Sequence, residues 1–377
     1  MKPVICVVGA RPNYMKMGPI LRAFASHVPR IPALLVHTGQ HYDHAMNAKL
    51  FADLELPEPD VNLEVGSASH AVQTAEIMKR FEPVLDEHGA SAVLVVGDVN
   101  STIACALVAT KKGIPVIHVE AGLRSFDRGM PEEINRVLTD QISDLLYTTE
   151  RSAAGNLARE GIGTERIAFV GNVMIDSLRF NLAKAMPVPV TLRTAGLPGD
   201  ALDSDAGFGV VTLHRPSNVD DPEIFASLVD TLIAASERLP LVFPIHPRTR
   251  GNIDRFGLAT RLAGRPIHLL PPQGYLEMLG LMSSARIVMT DSGGIQEETT
   301  ALGVPCLTLR ENTERPITVE QGTNTLVGRN GPAILAALDE TIAGHGKAGR
   351  VPELWDGEAA ARIAAHLYGW LAKRGGA

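Results

Sequence analysis

A chain of 377 residues is too long to close around one ordinary core, so two domains are expected. With 45% hydrophobic and 20% charged residues it has the balance of a soluble globular protein, and a net charge of -7 speaks against general affinity for nucleic acid. No apolar run reaches the ~18 to 20 residues that a membrane span needs. Cys6, Cys105 and Cys306 sit in apolar runs without metal-ligand spacing and read as small buried side chains in a reducing compartment. Met1 leads almost directly into VICVV, which leaves no room for a signal peptide, and the expectation is a cytoplasmic protein.

The first half alternates strands and helices. The apolar run 4–8 ends in GARPNYMKMGPI and passes into a helical pattern; the strand 33–37 ends in TGQHYD. Helical periodicity returns over 74–85, followed by strands at 93–96 and 116–119. After Glu132 the apolar residues Ile134, Val137, Leu138 and Ile142 recur at helical spacing, which predicts an amphipathic helix. Runs at 145–147 and 167–170 complete a set of continuous apolar strands between helices, the pattern of a parallel sheet covered on both faces.

Residues 183–208 are dense in Pro, Gly, Ala and Asp without a sustained apolar period and are expected to link the domains, with room for a short helix. The alternation then resumes: 210–213 ends in HRPSN, 241–245 in a His-Pro-Arg loop, 267–270 in PPQGY, 287–289 in TDSGGIQEE, and 306–309 in RENTERP. A helical stretch at 358–371 closes the chain. The expected division is an N-terminal domain over 1–182, the link, and a C-terminal domain over 209–354.

The chemistry lies in the loops after the strands, where open α/β sheets place their ligands. Gly9-Ala10-Arg11-Pro12 follows the first strand, with Lys16 one turn into the next helix; it is either a phosphate loop or a tight turn with solvated basic side chains. Asp291-Ser292-Gly293-Gly294 repeats the logic, with Glu297 and Glu298 placed either to meet a ribose diol or to interact with the helix dipole. Asp98, Glu120 and Glu132 each follow a strand-like run or open a helix; metal binding, acid/base chemistry and surface solvation are the three explanations for such a cluster. No metal-ligand signature accompanies them. Glu133 is expected to cap its helix, and His118, inside an apolar strand, to be a satisfied core histidine. His214 and His246 end two strands at matching places, each with an arginine within two residues, and an imidazole can carry a proton near neutral pH.

Taken in order, GARPNYMKM, TGQHYD, VVGDVNST, HVEAGLRS, MPEEINR, FVGNVMIDSL, VTLHRPSN, FPIHP, TDSGGIQEE, ALGVPCL and TERP resemble the non-hydrolysing UDP-N-acetylglucosamine 2-epimerases, from the first strand to about residue 328. The resemblance implies two Rossmann-like domains of the glycosyltransferase-B type with the active site in the interdomain cleft, and a final helix, about 355–377, packed back on the first domain. It implies a homodimer, a UDP-sugar substrate and no metal or nicotinamide cofactor. The implied reaction is reversible conversion of UDP-N-acetylglucosamine to UDP-N-acetylmannosamine, by elimination of UDP through 2-acetamidoglucal and re-addition. The implied catalytic set is Asp98, Glu120, Glu132 and His214. The implied substrate contacts are Arg11, Lys16, Gln273, Ser292, Gly293, Gly294, Glu298 and Arg315, with Arg136 as a supporting charge one turn beyond Glu132, and Arg215, His246 and Met278 completing the lining.

The chain departs from the better-known bacterial pattern at Asn13, where those enzymes carry Glu, and at QHYD and HRPSN, the segments tied there to activation by a second substrate molecule. Met278 stands where an aromatic residue often lies near the uracil, with Tyr275 nearby. Activation by substrate is therefore not expected. The competing readings are a glycosyltransferase with the same fold, an epimerase for a modified UDP-N-acetylhexosamine, a hydrolysing epimerase, and a non-catalytic nucleotide-sugar binder.

Overall fold

Strands β1 (Val4–Val8), β2 (Ala33–His37), β3 (Val61–Asn62), β4 (Ala92–Val96), β5 (Val116–Val119), β6 (Leu145–Thr148) and β7 (Ile167–Phe169) form a parallel sheet in the order β3-β2-β1-β4-β5-β6-β7. The runs VICVV and AVLVV have no polar residue, and every residue in them is buried, so both sheet faces need helices. Those helices are α1 (Arg11–Ser26), α2 (His70–His88), α3 (Asn100–Lys111), α4 (Pro131–Ile142), α5 (Arg151–Arg159) and α6 (Val173–Leu182). These elements come from a computed structural model that describes residues 2–39, 51 and 53–375. The chain divides into two compact units, Met1–Phe180 with Glu353–Ala377, and Asn181–Pro352.

The second unit holds α7 (Val188–Thr194), β8 (Gly209–Thr212), α8 (Pro216–Val219), α9 (Pro222–Ser236), β9 (Leu241–Pro244), α10 (Pro247–Arg255), α11 (Ala259–Leu262), β10 (Ile267–Leu270), α12 (Tyr275–Ser284), β11 (Ile287–Thr290), α13 (Gly293–Leu302), β12 (Cys306–Thr308), α14 (Pro316–Glu320), β13 (Asn324–Leu326) and α15 (Gly331–Ile342). Its sheet is parallel, in the order β10-β9-β8-β11-β12-β13. Alternate strand residues feed two cores: Val211, Phe243 and Met289 face one, Val210, Val242 and Val288 the other. In both units the strand order reverses beside the first strand, between β1 and β4 and between β8 and β11, which makes both Rossmann-like.

Three features depart from sequence periodicity. Residues 183–208 are not a free link: Leu192, Leu202 and Phe208 enter a core of the second unit, and Met186 N donates to Leu276 O at 3.0 Å. Gly280 permits that approach, since a Cβ there would meet Met186 O at 1.8 Å. Strand β13 escapes notice because it is three residues long and begins at buried Asn324. Helix α4 is inverted: Glu133, Asn135, Arg136, Thr139 and Asp140 are buried, while Ile134 and Leu138 are 43% and 50% exposed.

The last helix, α16 (Ala359–Gly375), packs on α1 in the first unit. Buried Asp176 of α6 accepts from Ala359 N (3.2 Å) and Ala360 N (2.7 Å) at its amino end, and Trp355 Nε1 donates to Thr149 O at 3.0 Å. No described helix is long and apolar enough to cross a membrane.

Candidate active site

The first unit's switch point brings two loops together, Gly9–Ala10 after β1 and Gly97–Asp98 after β4. Gly9 is required by packing, because a Cβ there would lie 2.1 Å from Ser101 Oγ. Asn13 folds back on its own loop: its Oδ1 accepts from Gly9 N (3.2 Å) and Ala10 N (3.1 Å), and its Nδ2 donates to Val96 O (2.9 Å). Two amides considered for a phosphate are therefore satisfied by a side chain. The side chain of Arg11 lies outside the described residues, as do residues 40–43 of QHYD.

Glu120 directly follows β5 with a backbone φ of 72°, a left-handed conformation that costs a non-glycine residue ~1–3 kcal/mol. Its carboxylate is buried and accepts from Lys16 Nζ at 2.7 Å. Gly97, at φ 67°, makes room for this pair, since a Cβ there would sit 3.0 Å from the Lys16 nitrogen. Lys16 is thus the ion-pair partner of Glu120.

Asp98 follows Gly97 and is held by α4. Arg136 reaches Asp98 Oδ2 from Nε (3.0 Å) and Nη2 (2.8 Å), and Asn135 Nδ2 donates to the Asp98 carbonyl at 2.8 Å. Glu133 accepts from the other face of Arg136 (2.7 Å) and from the amides of Ser125 and Phe126 (both 2.9 Å). The expected cap is instead a clamp between a loop and an arginine. Glu132, one residue earlier and half-buried, has no hydrogen-bond or ion-pair partner among the described residues.

His118 is the satisfied core histidine expected, fully buried with Nδ1 2.6 Å from Asp140 Oδ1 and Nε2 2.8 Å from Gly97 O. Burial would raise the Asp140 carboxyl, but the His118 ring and the Arg124 guanidinium outweigh it and hold it below its ordinary value. Because Asp140 also accepts from Gly122 N at 3.1 Å, it ties the Gly97 loop to the loop after Glu120. Among the described residues no group of three or more His, Cys, Asp or Glu is arranged to hold a metal ion.

In the second unit the switch point lies between β8 and β11. Asp291 after β11 is fully buried and accepts from His214 N (3.1 Å), Arg215 N (2.9 Å) and Asn218 Nδ2 (3.1 Å), while His214 Nδ1 stands 3.0 Å from its Oδ1. Burial opposes the charge on Asp291, yet the His214 ring and these amides leave its pKa lowered. His214 itself is 40% exposed and its ring centre lies 5.7 Å from that of His246. The His246 Nδ1 accepts from Arg248 N at 3.2 Å, capping α10.

Ser292, Gly293 and Gly294 open α13, and Gly293 cannot carry a side chain because a Cβ would meet Glu314 Oε1 at 2.6 Å. Glu314 is ringed by Arg310 (2.8 Å) and Arg215 (3.6 Å); burial would raise its carboxyl, but the Arg310, Arg315 and Arg215 charges hold it far below the usual carboxylate range. Neither glutamate of α13 is solvated: Glu297 pairs with Arg315 Nε at 3.0 Å and Glu298 accepts from Tyr275 OH at 3.0 Å. Gln273 donates to Pro271 O at 2.8 Å. Met278, on α12, is partly buried and packs against a core of the second unit.

Sequence reasoning passed over Asp291 as a partner of His214, and also Asp140, Arg310 and Glu314. Only Asp291 had a signal, since Thr290 pairs in register with Thr212 and brings the residues after each strand together.

Fold and loops define a two-unit Rossmann-like α/β protein with paired acidic and basic groups at both switch points. A family model for UDP-N-acetylglucosamine 2-epimerase matches residues 25–368. The chain belongs to the UDP-N-acetylglucosamine 2-epimerase family. It is 41% identical over 339 residues to the UDP-N-acetylglucosamine 2-epimerase of Methanococcus maripaludis, covering 89% of this chain and 90% of the relative. It is 38% identical over 371 residues to the UDP-2,3-diacetamido-2,3-dideoxy-D-glucuronate 2-epimerase of Pseudomonas aeruginosa, covering 97% and 99%. The crystal structure of the Methanocaldococcus jannaschii UDP-GlcNAc 2-epimerase in complex with UDP-GlcNAc and UDP is similar at a TM-score of 0.88, with 40% identity and coverage of 98% of this chain and 99% of that one.

Proposed function

We propose that the chain inverts carbon 2 of UDP-N-acetylglucosamine reversibly, giving UDP-N-acetylmannosamine. The observation that carries the reading is the set of carboxylates at the first unit's strand ends, Asp98 clamped by Arg136 and Glu120 paired with Lys16, with Glu132 in the first turn of α4. Hydrogen on carbon 2 is not next to a carbonyl, so direct deprotonation is poorly driven. Elimination provides the driving force: a carboxylate takes the carbon 2 proton, the carbon 1–oxygen bond breaks, and its electrons leave with UDP. The resulting 2-acetamidoglucal takes UDP back at carbon 1 and a proton at carbon 2 from the opposite face. Asp98, Glu120 and Glu132 supply base and acid, each contributing ~10²- to 10⁴-fold to such a step.

In this reading the second unit holds UDP. The amino end of α13 with Ser292, Gly293 and Gly294 receives the diphosphate, Arg215, His246 and Arg315 add positive charge, Glu298 meets the ribose, and Gln273 lies toward the base. His214 takes part at the departing phosphate oxygen. Arg11 remains a candidate diphosphate contact, and no metal or nicotinamide is invoked.

The Pseudomonas relative, aligned over more of the chain, favours a second reading in which the sugar carries a second acetamido group and a carboxylate. Each UDP-sugar, incubated separately with the protein and followed by proton NMR, separates the two. A manno epimer from UDP-N-acetylglucosamine supports the first reading, and epimerisation of the diacetamido uronate alone moves the assignment to the second. No epimer from either would overturn both.

The protein is further proposed to be a cytoplasmic homodimer. Ile134 and Leu138 on α4 and Val72 on α2 leave an apolar face exposed, beside a groove of about 400 Å³ lined by Ala71, Ala75, Met78 and Ile134. An inverted helix of this kind is explained by a second copy covering it.

A further inference from the structure

We infer that Asp291 is the positioning residue that fixes the protons on His214, so that its Nε2 is presented as a proton acceptor. The inference rests on the epimerase reading only for what that nitrogen then does.

Asp291 accepts from three N–H groups, and the His214 ring stands within ion-pair distance of it. The His214 amide lies 3.2 and 3.1 Å from its two oxygens, the Arg215 amide 2.9 Å and Asn218 Nδ2 3.1 Å from Oδ2, and the His214 ring stands 3.0 Å from Oδ1. A carboxylate wholly out of water and bonded in this way has no oxygen lone pair facing an acceptor, so a proton on it would displace a donor. It therefore stays ionised. Its neighbour at 3.0 Å, His214 Nδ1, must carry hydrogen. In the neutral ring the other nitrogen is then bare, and no described group bonds it.

His246 is set the opposite way. Its Nδ1 accepts from the Arg248 amide at 3.2 Å, so in the neutral ring hydrogen sits on Nε2. The centres of the two rings lie 5.7 Å apart. A phosphate oxygen that alternates between ester and free anion, as elimination and re-addition require, needs a group that can carry a proton to or from it, and the bare His214 Nε2 is such a group. When His214 takes up a proton, the Asp291 carboxylate stabilises the imidazolium. Arg215 Nε donates to the Asp291 carbonyl at 3.3 Å.

The first test needs no variant. In alkaline buffer, long-range proton–nitrogen correlation of the histidine rings, assigned by comparison with His214→Gln, should show His214 with hydrogen on Nδ1; hydrogen on Nε2 would overturn the inference. The second test is Asp291→Asn, which keeps the volume and an oxygen for the amides but offers an N–H to the ring. Its expected signature is a His214 ring turned to the Nε2–H form and a turnover reduced ~100-fold or more, with UDP affinity within about threefold of the parent. Unchanged turnover, or loss of UDP binding in step with turnover, would assign Asp291 to loop structure alone. Because the ring measurement does not use the reaction, it stands even if the epimerase reading fails.

Discussion

Replacing Lys16 by methionine probes the first unit's switch point most severely. The two ends of the Lys16–Glu120 pair are 6% and 2% exposed, so the ion pair lies in the regime where removing one partner costs ~3–5 kcal/mol, because the other charge stays buried. Methionine keeps most of the side-chain length, and Gly97 leaves space for it, so packing loss is small beside the electrostatic cost. At ~2–4 °C per kcal/mol for a unit of this size, the melting point should fall by ~6–20 °C. Both tryptophans of the chain, Trp355 and Trp370, belong to this unit, so intrinsic fluorescence during urea unfolding reports it selectively. Adding Glu120→Gln to Lys16→Met removes the stranded charge and should recover ~2 kcal/mol or more, giving a stable protein without turnover. A single variant that loses less than ~1 kcal/mol, or a double variant no more stable than the single, would refute the argument that Glu120 depends on this ammonium.

Asp98→Asn and Glu120→Gln should bind UDP, measured by calorimetry, yet lose at least ~100-fold in turnover. Burial pushes the Asp176 carboxyl up to about 6 against the pull of the Ala360 and Ala359 amides. Since this folded value lies above the ~3.9 of an unfolded aspartate, protonation favours the folded state, and stability should rise by up to ~2–3 kcal/mol as pH falls from 6 to 4. Unfolding of Asp176→Asn across that range should lack this component. Turnover of UDP-N-acetylmannosamine should be hyperbolic without added UDP-N-acetylglucosamine, because QHYD and HRPSN depart from the pattern tied to activation by a second substrate molecule. Leu138→Asp, in the exposed stripe of α4, should shift sedimentation from dimer to monomer; a parent that sediments as a monomer would discard the dimer.

Continuous apolar strands with polar loops at their ends made both parallel sheets legible, since burial on two faces leaves no room for polar residues. The ordered loop motifs made the family legible. What escaped was tertiary. The α4 periodicity was read correctly as amphipathic, but hydrophobicity alone does not say which side faces the core, and here Glu133, Arg136 and Asp140 turn inward to hold loops. Asn13 registered only as a departure from a pattern, whereas it satisfies the amides of its own turn. Lys16 beside a glycine turn reads as a phosphate ligand, and only the strand order shows that Glu120 lies next to it. Residues 183–208 lack periodicity because short pieces of them dock separately, through Leu192, Leu202 and Phe208.

The central claim is that a proton leaves carbon 2 of the sugar and another returns on the opposite face. The most direct measurement is NMR of UDP-N-acetylglucosamine incubated with the protein in deuterated water. A manno epimer that carries deuterium at carbon 2 is expected, with deuterium entering the gluco form as the reaction reverses. A manno epimer that retains its original hydrogen at carbon 2 would contradict it.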